Sequence, residues 1–301
     1  FFFSRCMAPA KWCLCLLSLW WWGPVPADAF NASAQVSRSL DAPPWLAARD
    51  WQQTVAGPAD WGARVGPVLE HLSNYSGVNP STDDEFEDLI AHFFWRRVGG
   101  LVLEMGGLDG VLYSESLRLE RLFGWRRILI EGDPDWRPKR RKVAPEAAGL
   151  ALAVCESPRT VHFIAGHNPA LSGIAEFWKP VYMRRFHSEI LKLRNRAKND
   201  WSKVEWRRLK HHRVSEVQCL PLGMALEALG VTALDVLILD TEGSELAILS
   251  TVDFARLNVS VLVVETEEQY RCLGYTQKVI DLVLRSGQFR VWQARRGRNT
   301  W

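Results

Sequence analysis

The sequence predicts an α/β protein built on a doubly wound, mostly parallel sheet. Three observations carry that prediction. Short unbroken apolar runs rich in Val, Ile and Leu recur from residue 98 onwards, helical or loop segments separate them, and three of the runs end in glycines or carboxylates. Unbroken rather than alternating apolar runs belong to strands covered on both faces, and strands spaced by helices belong to a parallel sheet.

The composition agrees. Of 301 residues, 48% are hydrophobic and 24% charged, which excludes an intrinsically disordered chain, and neither a collagen repeat nor a persistent heptad is present. A formal net charge of +3 gives no ground for specific nucleic-acid binding.

Residues 1–29 read as a targeting segment. Lys11 precedes the apolar run Trp12 to Trp22, Gly23-Pro24 break it, and Ala27-Asp28-Ala29 provides a small-x-small site, so cleavage is expected after Ala29. The run is shorter than the roughly 20 residues of a membrane span. Two addresses fit. The first is the secretory pathway, in which Asn31-Ala32-Ser33, Asn74-Tyr75-Ser76 and Asn258-Val259-Ser260 would be glycosylation acceptors and the protein a glycoprotein. The second is a plastid, because Ala27-Asp28-Ala29-Phe30 resembles the junction of bipartite plastid leaders and is followed by a Ser- and Ala-rich stretch. Loss of residues 1–29 leaves Cys155, Cys219 and Cys272, enough for one disulfide and one thiol, or for three buried thiols.

Residues 30–96, with Pro43-Pro44, Pro58, Pro67 and Pro80, read as an irregular lead-in with one or two short helices, one of them near 84–95. The main domain is expected over 97–301. Its strands are expected at Leu101–Met105, Arg127–Glu131, Leu150–Cys155, Val236–Asp240 and Val259–Glu265. A helix follows over Gly274–Gly287, and Phe289–Ala294 is a last strand. Between the third and fourth strands lies an insertion at about 157–216, read as helical and basic. Its segment 184–213 carries eleven Lys and Arg against three acids. Such a run is either a solvated face or a docking surface for an anionic substrate or anionic membrane headgroups.

Chemistry concentrates where the strands end. Strand one runs into Glu104-Met-Gly106-Gly107-Leu-Asp109-Gly110, a turn that lets a ligand approach the backbone closely. Strand two ends at Glu131, twenty-one residues after Gly110, where an acid can accept hydrogen bonds from both hydroxyls of a ribose. Strand four runs into Asp240-Thr-Glu242-Gly243-Ser-Glu245. Three carboxylates at one strand tip raise one another's pKa or recruit a metal, unless Glu242 and Glu245 serve only a helix N-terminus.

Together these pieces are specific. The glycine turn with Glu104, the run SLRLERLFGWRRILIEGDP at 116–134, VHFIAGHNPALSGIAEFWKP at 161–180, CLPL at 219–222 and LDTEGSELAILSTVDF at 239–254 resemble the FkbM-type methyltransferase family over about residues 98–290. The resemblance implies a Rossmann-like class I methyltransferase fold, S-adenosylmethionine as cofactor and methyl transfer to oxygen. It implies that Glu104, Gly106, Gly107 and Gly110 surround the methionine part, that Asp109 in the same turn also binds the cofactor, and that Glu131 holds the ribose. Cys155 and Glu156 would lie near the adenine, and Asp240 would face donor and acceptor. The sheet of this fold normally closes with a two-stranded hairpin, of which only Phe289–Ala294 is evident.

Asp240, Glu242 and Glu245 are therefore the catalytic candidates, as bases or as holders of a divalent metal. His187, His211 and His212 are further candidates in the insertion. The expected acceptor is a small molecule, a glycan or a lipid-like molecule. A second reading is a secretory-pathway trafficking or cargo-binding protein that keeps the domain without catalysis.

Overall fold

A computed structural model of the chain describes residues 2–5, 86, 89–95, 97–166, 168–266 and 274–293. The expectations for the cleavage site, for Asn31 and Asn74, for Cys272 and for most of the lead-in lie outside those residues. Within the lead-in, Leu89–Phe93 form one π-helical turn.

Among the described residues the central sheet has seven strands. In chain order they are β1 (Phe2–Arg5), β2 (Leu101–Met105), β3 (Arg126–Glu131), β4 (Ala148–Ala151), β9 (Ala233–Leu239), β10 (Asn258–Val264) and β11 (Phe289–Gln293). Labels β5 to β8 belong to a second sheet: β5 (Ala153–Val154), β6 (Arg159–Ala165), β7 (Gly173–Ile174) and β8 (Arg213–Leu220). The first sheet runs β11-β1-β10-β9-β2-β3-β4, and its five strands from β10 to β4 are parallel. The helices are α1 (Ser116–Phe123), α2 (Trp136–Val143), α3 (Pro180–Phe186), α4 (Ser188–Arg196), α5 (Leu222–Ala228), α6 (Glu245–Leu249) and α7 (Tyr275–Leu284).

The unbroken apolar runs have their expected cause. Leu101, Leu103 and Met105 face a core that includes Ile248, Leu249, Val279 and Val283. Val102 faces the other way, into Phe86, Leu119, Phe123 and Trp125. Both faces of β2 are buried, so alternation disappears. Helix α1 ends at Gly124, whose φ of +65° is left-handed and whose N–H closes the turn on Glu120 and Leu119 carbonyls. Arg127 at the start of β3 has a fully buried guanidinium. It pairs with Glu120 at 2.5 Å and donates to the Gly110 carbonyl at 2.7 Å, tying the glycine turn to the sheet.

Three features differ from the sequence expectations. The run Leu150–Cys155 is not one strand. It pairs with β3 only as far as Ala151, passes through buried Leu152 and joins β8 as β5. The insertion is helical only in part, through α3 and α4, and it opens with β6 and runs into β8, which pairs with β6. Residues Phe2–Arg5, which lie inside the segment expected to be removed as a targeting sequence, form β1, antiparallel between β10 and β11, where a closing hairpin strand was expected. Asn258 opens β10 half-buried. Among the described residues no helix is long and apolar enough to cross a membrane.

Cys155 and Cys219 form a disulfide that pins β5 to β8, with Cα atoms 5.7 Å apart and a sequence separation of 64. In the chain-entropy picture a loop of that length contributes roughly 4 kcal/mol. The Cys155→Ser/Cys219→Ser double variant should therefore unfold at a clearly lower guanidinium concentration than the parent chain. An unchanged midpoint would show that the bridge contributes nothing.

Candidate active site

The order of the parallel strands reverses between β2 and β9. There β2 leads on to β3 and β4 in one direction, and β9 to β10 in the other. Such a switch point opens a crevice at the C-terminal strand ends. A cavity of about 600 Å³ lies at that edge, lined among others by Gly106, Glu131, Asp240, Glu242 and Glu265. Four neighbouring strand tips, those of β2, β3, β9 and β10, thus deliver their polar residues to one place.

The glycine turn holds that place open. Gly106 has a φ of +90°, and a Cβ built on it would fall 1.7 Å from the Asp240 carbonyl oxygen, so no side chain fits. Its N–H donates to the Ile130 carbonyl at 3.1 Å, and the Asp240 N–H donates to the Met105 carbonyl at 3.2 Å. Glu104 sits beneath the turn and does not line the cavity. It is 3% exposed and accepts from Ser114 Oγ at 2.7 Å, the Glu115 N–H at 2.9 Å and Ser116 Oγ. A Cβ on Gly107 would lie 2.9 Å from its carboxyl carbon. Asp109 accepts from the Val111 and Leu112 N–H groups at 2.9 and 2.8 Å, and Gly110 takes Arg127. Of the five cofactor-binding residues expected in this turn, Gly106 borders the cavity and the other four shape the turn behind it.

Glu131 does line the cavity. Its Oε1 accepts from the Asp133 N–H at 2.8 Å and its Oε2 from the Leu108 N–H at 3.2 Å. Burial pushes its pKa up to about 7, with Asp133 adding to the rise and the two N–H groups and Arg140 opposing it. Cys155 is held in the disulfide, and exposed Glu156 pairs with Arg159 at 3.1 Å. Neither borders the cavity, which takes Leu152, Ala153 and Val154 from that segment.

At the other wall, carboxylate oxygens of Asp240, Glu242 and Glu265 lie within 4.8 Å of one another. Burial raises the Asp240 pKa well above the usual carboxylate range, and the charges of Glu265, Glu242 and Glu115 raise it further. Its Oδ1 is buried with no hydrogen-bond partner. Three oxygen donors so close together fit a hard divalent cation as well as a shared proton. Glu242 holds a left-handed φ of +53°, a conformation that costs a non-glycine residue about 1 kcal/mol or more. The Tyr182 hydroxyl, reaching over from α3, stands 3.1 Å from Glu242 Oε2.

Glu245 has a different role. It is fully buried and accepts from the Thr241 and Gly243 N–H groups at 3.1 and 3.0 Å and from the Tyr275 hydroxyl at 2.6 Å. It fixes the shape of the 240–244 loop and does not line the cavity. His187 is buried as well, stacked on Trp178 with ring centroids 4.1 Å apart. Its Nε2 lies 2.9 Å from the Leu171 carbonyl, and burial pushes its pKa down to about 4, so the ring is neutral. His211 and His212 lie outside this cavity.

Sequence reasoning passed over Glu265, Arg118 and Tyr182. Glu265 had a readable signal, an acid at the tip of a parallel strand like Asp240. Arg118, in the first turn of α1, is the one cation among the described residues lining the cavity, beside Glu115, Glu131, Asp240, Glu242 and Glu265. Tyr182 had no signal, because only tertiary packing brings α3 to the strand tips.

The comparisons with known proteins agree with the site in one respect. The model of the methyltransferase FkbM domain matches residues 104–291, more than half of the chain, and takes in each of these strand tips. No curated protein and no solved structure matches.

Glu245→Ala leaves two backbone N–H groups and a buried hydroxyl without their acceptor. It should lower stability by about 3–5 kcal/mol, seen as a large fall in thermal midpoint. A variant that melts with the parent would show that the loop needs no such anchor.

Proposed function

The chain belongs to the FkbM methyltransferase family, and from that premise we propose that it transfers a methyl group from S-adenosylmethionine to an oxygen of its acceptor. One observation carries the reading most directly. A cavity of nucleoside-cofactor size lies at the switch point, with Glu131 at the tip of β3 and Gly106 leaving the backbone bare. Among the described residues lining it, five carboxylates and one guanidinium also suit a cofactor that carries a sulfonium charge. The neutral thioether product would be held less tightly.

S-adenosylmethionine supplies a methyl group made electrophilic by its sulfonium. The chain's residues do the rest. Glu131 accepts the ribose hydroxyls, and Arg118 with the first turn of α1 receives the carboxylate of the methionine part. Asp240, whose pKa burial and the neighbouring carboxylates raise, takes the acceptor's proton, and Glu242 is held in place by Tyr182. Walls formed by Leu108, Ile130, Leu171 and Ile174 exclude water. A second use of the same oxygens is to hold a divalent metal on Asp240, Glu242 and Glu265, which would lower the acceptor hydroxyl's pKa.

The acceptor is a small molecule, a glycan or a lipid-like molecule. The disulfide supports an oxidising compartment, hence the secretory lumen over the plastid, since such bonds persist where thiols are not kept reduced. The exposed cations Arg184, Arg185, Lys192, Arg196 and Lys198 on α3, α4 and the turn after them support peripheral contact with an anionic membrane surface. A chain that served only trafficking would not need the acidic cluster.

Calorimetry with S-adenosylmethionine tests the reading first. Glu131→Ala should weaken binding by about 1.5–3 kcal/mol. Because hydroxyls bind the ionised carboxylate, parent affinity should fall as pH drops through about 7, and that dependence should shrink in the variant. Equal affinities would place the nucleoside elsewhere.

Asp240→Asn and Glu242→Gln should still bind the cofactor, with at most a modest loss of affinity, and lower turnover by roughly 10²–10⁴-fold. Turnover of the parent should rise with pH as Asp240 loses its proton, and Asp240→Asn should lack that limb. Loss of activity in chelator, restored by Mg²⁺ or Mn²⁺, would assign the cluster to a metal. Full activity in both variants would remove it from catalysis.

A further inference from the structure

A second cavity, of about 740 Å³, lies beyond the turn that closes the first, and Pro169 and Ser172 line both. Its walls come from three stretches. Asp133, Asp135, Trp136 and Lys139 follow β3, Ala165 ends β6 with Gly166 just after it, and Lys210 to Arg213 lead into β8. The basic run singled out in the sequence thus reaches a concave site at its C-terminal end only.

The charges there are already sorted. Arg213 donates to both oxygens of buried Asp133, at 2.5 and 2.7 Å, and its Nε stands 3.0 Å from Asp135. Those three groups are committed to one another. Two ammonium groups, Lys139 and Lys210, remain on the walls with His211 and His212. Lys139 Nζ lies 4.0 Å from the centre of the Trp136 ring, so a cation stands over an aromatic face.

His212 is held in a defined state. The Leu171 carbonyl can only accept, so His187 Nε2 carries the proton and the Nδ1 of that neutral ring is an acceptor. His212 Nε2, 3.2 Å away, must be the donor to it. The second cavity is therefore fixed to the turn carrying Leu171, which also lines the first.

We propose that the second cavity is a distal acceptor subsite that binds an oxyanion substituent (a phosphate, sulfate or carboxylate) carried by the methyl acceptor. Lys139 and Lys210 are its cations. The acceptor passes Pro169 and Ser172, so that its hydroxyl enters the acidic cavity while its anion stays outside. The opposite signs of the two cavities set the orientation: carboxylates repel the anionic end from the donor, and lysines retain it. The word acceptor rests on the methyltransferase reading, whereas the anion site stands on its own lining.

The isotope-labelled full chain, titrated with inorganic phosphate and separately with sulfate, tests this through its tryptophan indole and histidine ring resonances. Saturable shifts at Trp136, His211 and His212 are expected. In Lys139→Gln/Lys210→Gln the affinity should fall roughly ten- to a hundredfold, as loss of two charge-assisted contacts implies, with S-adenosylmethionine binding unchanged as the folding control. Absence of saturable shifts, or equal affinity in the double variant, would overturn the proposal. Phosphatidylserine vesicles that bind both forms equally, with no response to phosphate, would overturn it too and assign the run to a membrane. Phosphate binding in a chain that takes no S-adenosylmethionine would sink the methyltransferase reading and, with it, the acceptor role.

Discussion

Everything at the candidate site depends on how closely Gly106 approaches Asp240. The two residues end adjacent strands, β2 and β9, at the point where strand order reverses. A Cβ at Gly106 would collide with the Asp240 carbonyl oxygen, so the approach exists only because the residue is glycine. Two backbone bonds, from the Gly106 N–H to the Ile130 carbonyl of β3 and from the Asp240 N–H to the Met105 carbonyl of β2, hold the two loops in place. The cavity is the space left above this contact, and the acidic wall stands where it does because Asp240 cannot retreat.

Around that contact the carboxylates divide into two kinds. Glu104 and Glu245 are buried beneath loops and saturated with donors, and they hold backbone in shape. Glu131, Asp240, Glu242 and Glu265 border the cavity. For Glu131 and Asp240 burial is the largest cause of a raised pKa. Burying a charged carboxylate is costly, and groups that bear that cost at a cavity wall are the ones suited to take a ligand, a proton or an ion. Buried Arg127 completes the arrangement from below, joining α1, the glycine turn and β3 through Glu120 and Gly110.

The insertion is as much core as surface. Trp178, Tyr182, Met183 and Ile190 are buried with Ile164 and Ala175, and partly buried Trp201 and Trp206 stack nearly parallel, 5.9 Å apart, at its edge. Its cations are the outer face of the same segment. That double character explains how one stretch can lend Tyr182 to the acidic cluster and Lys210 to the neighbouring cavity.

What the sequence determined by itself was the sheet and its chemically loaded edge. Strands β2, β3, β9, β10 and β11 fall within a few residues of their expected places, because strands buried on both faces must be apolar throughout. The glycine turn, Glu131 and Asp240 were legible because ligand chemistry at a parallel sheet's edge follows from strand direction alone. Tertiary structure decided what each acid does. Glu242 and Glu245 lie three residues apart and look alike in sequence, yet one borders the cavity and the other is enclosed by Thr241, Gly243 and Tyr275. It also decided the pairing of Cys155 with Cys219, the split of the third strand and the arrival of Tyr182. Each of these depends on a contact between residues far apart in the chain, and local pattern records which faces are apolar but not which distant group will meet them.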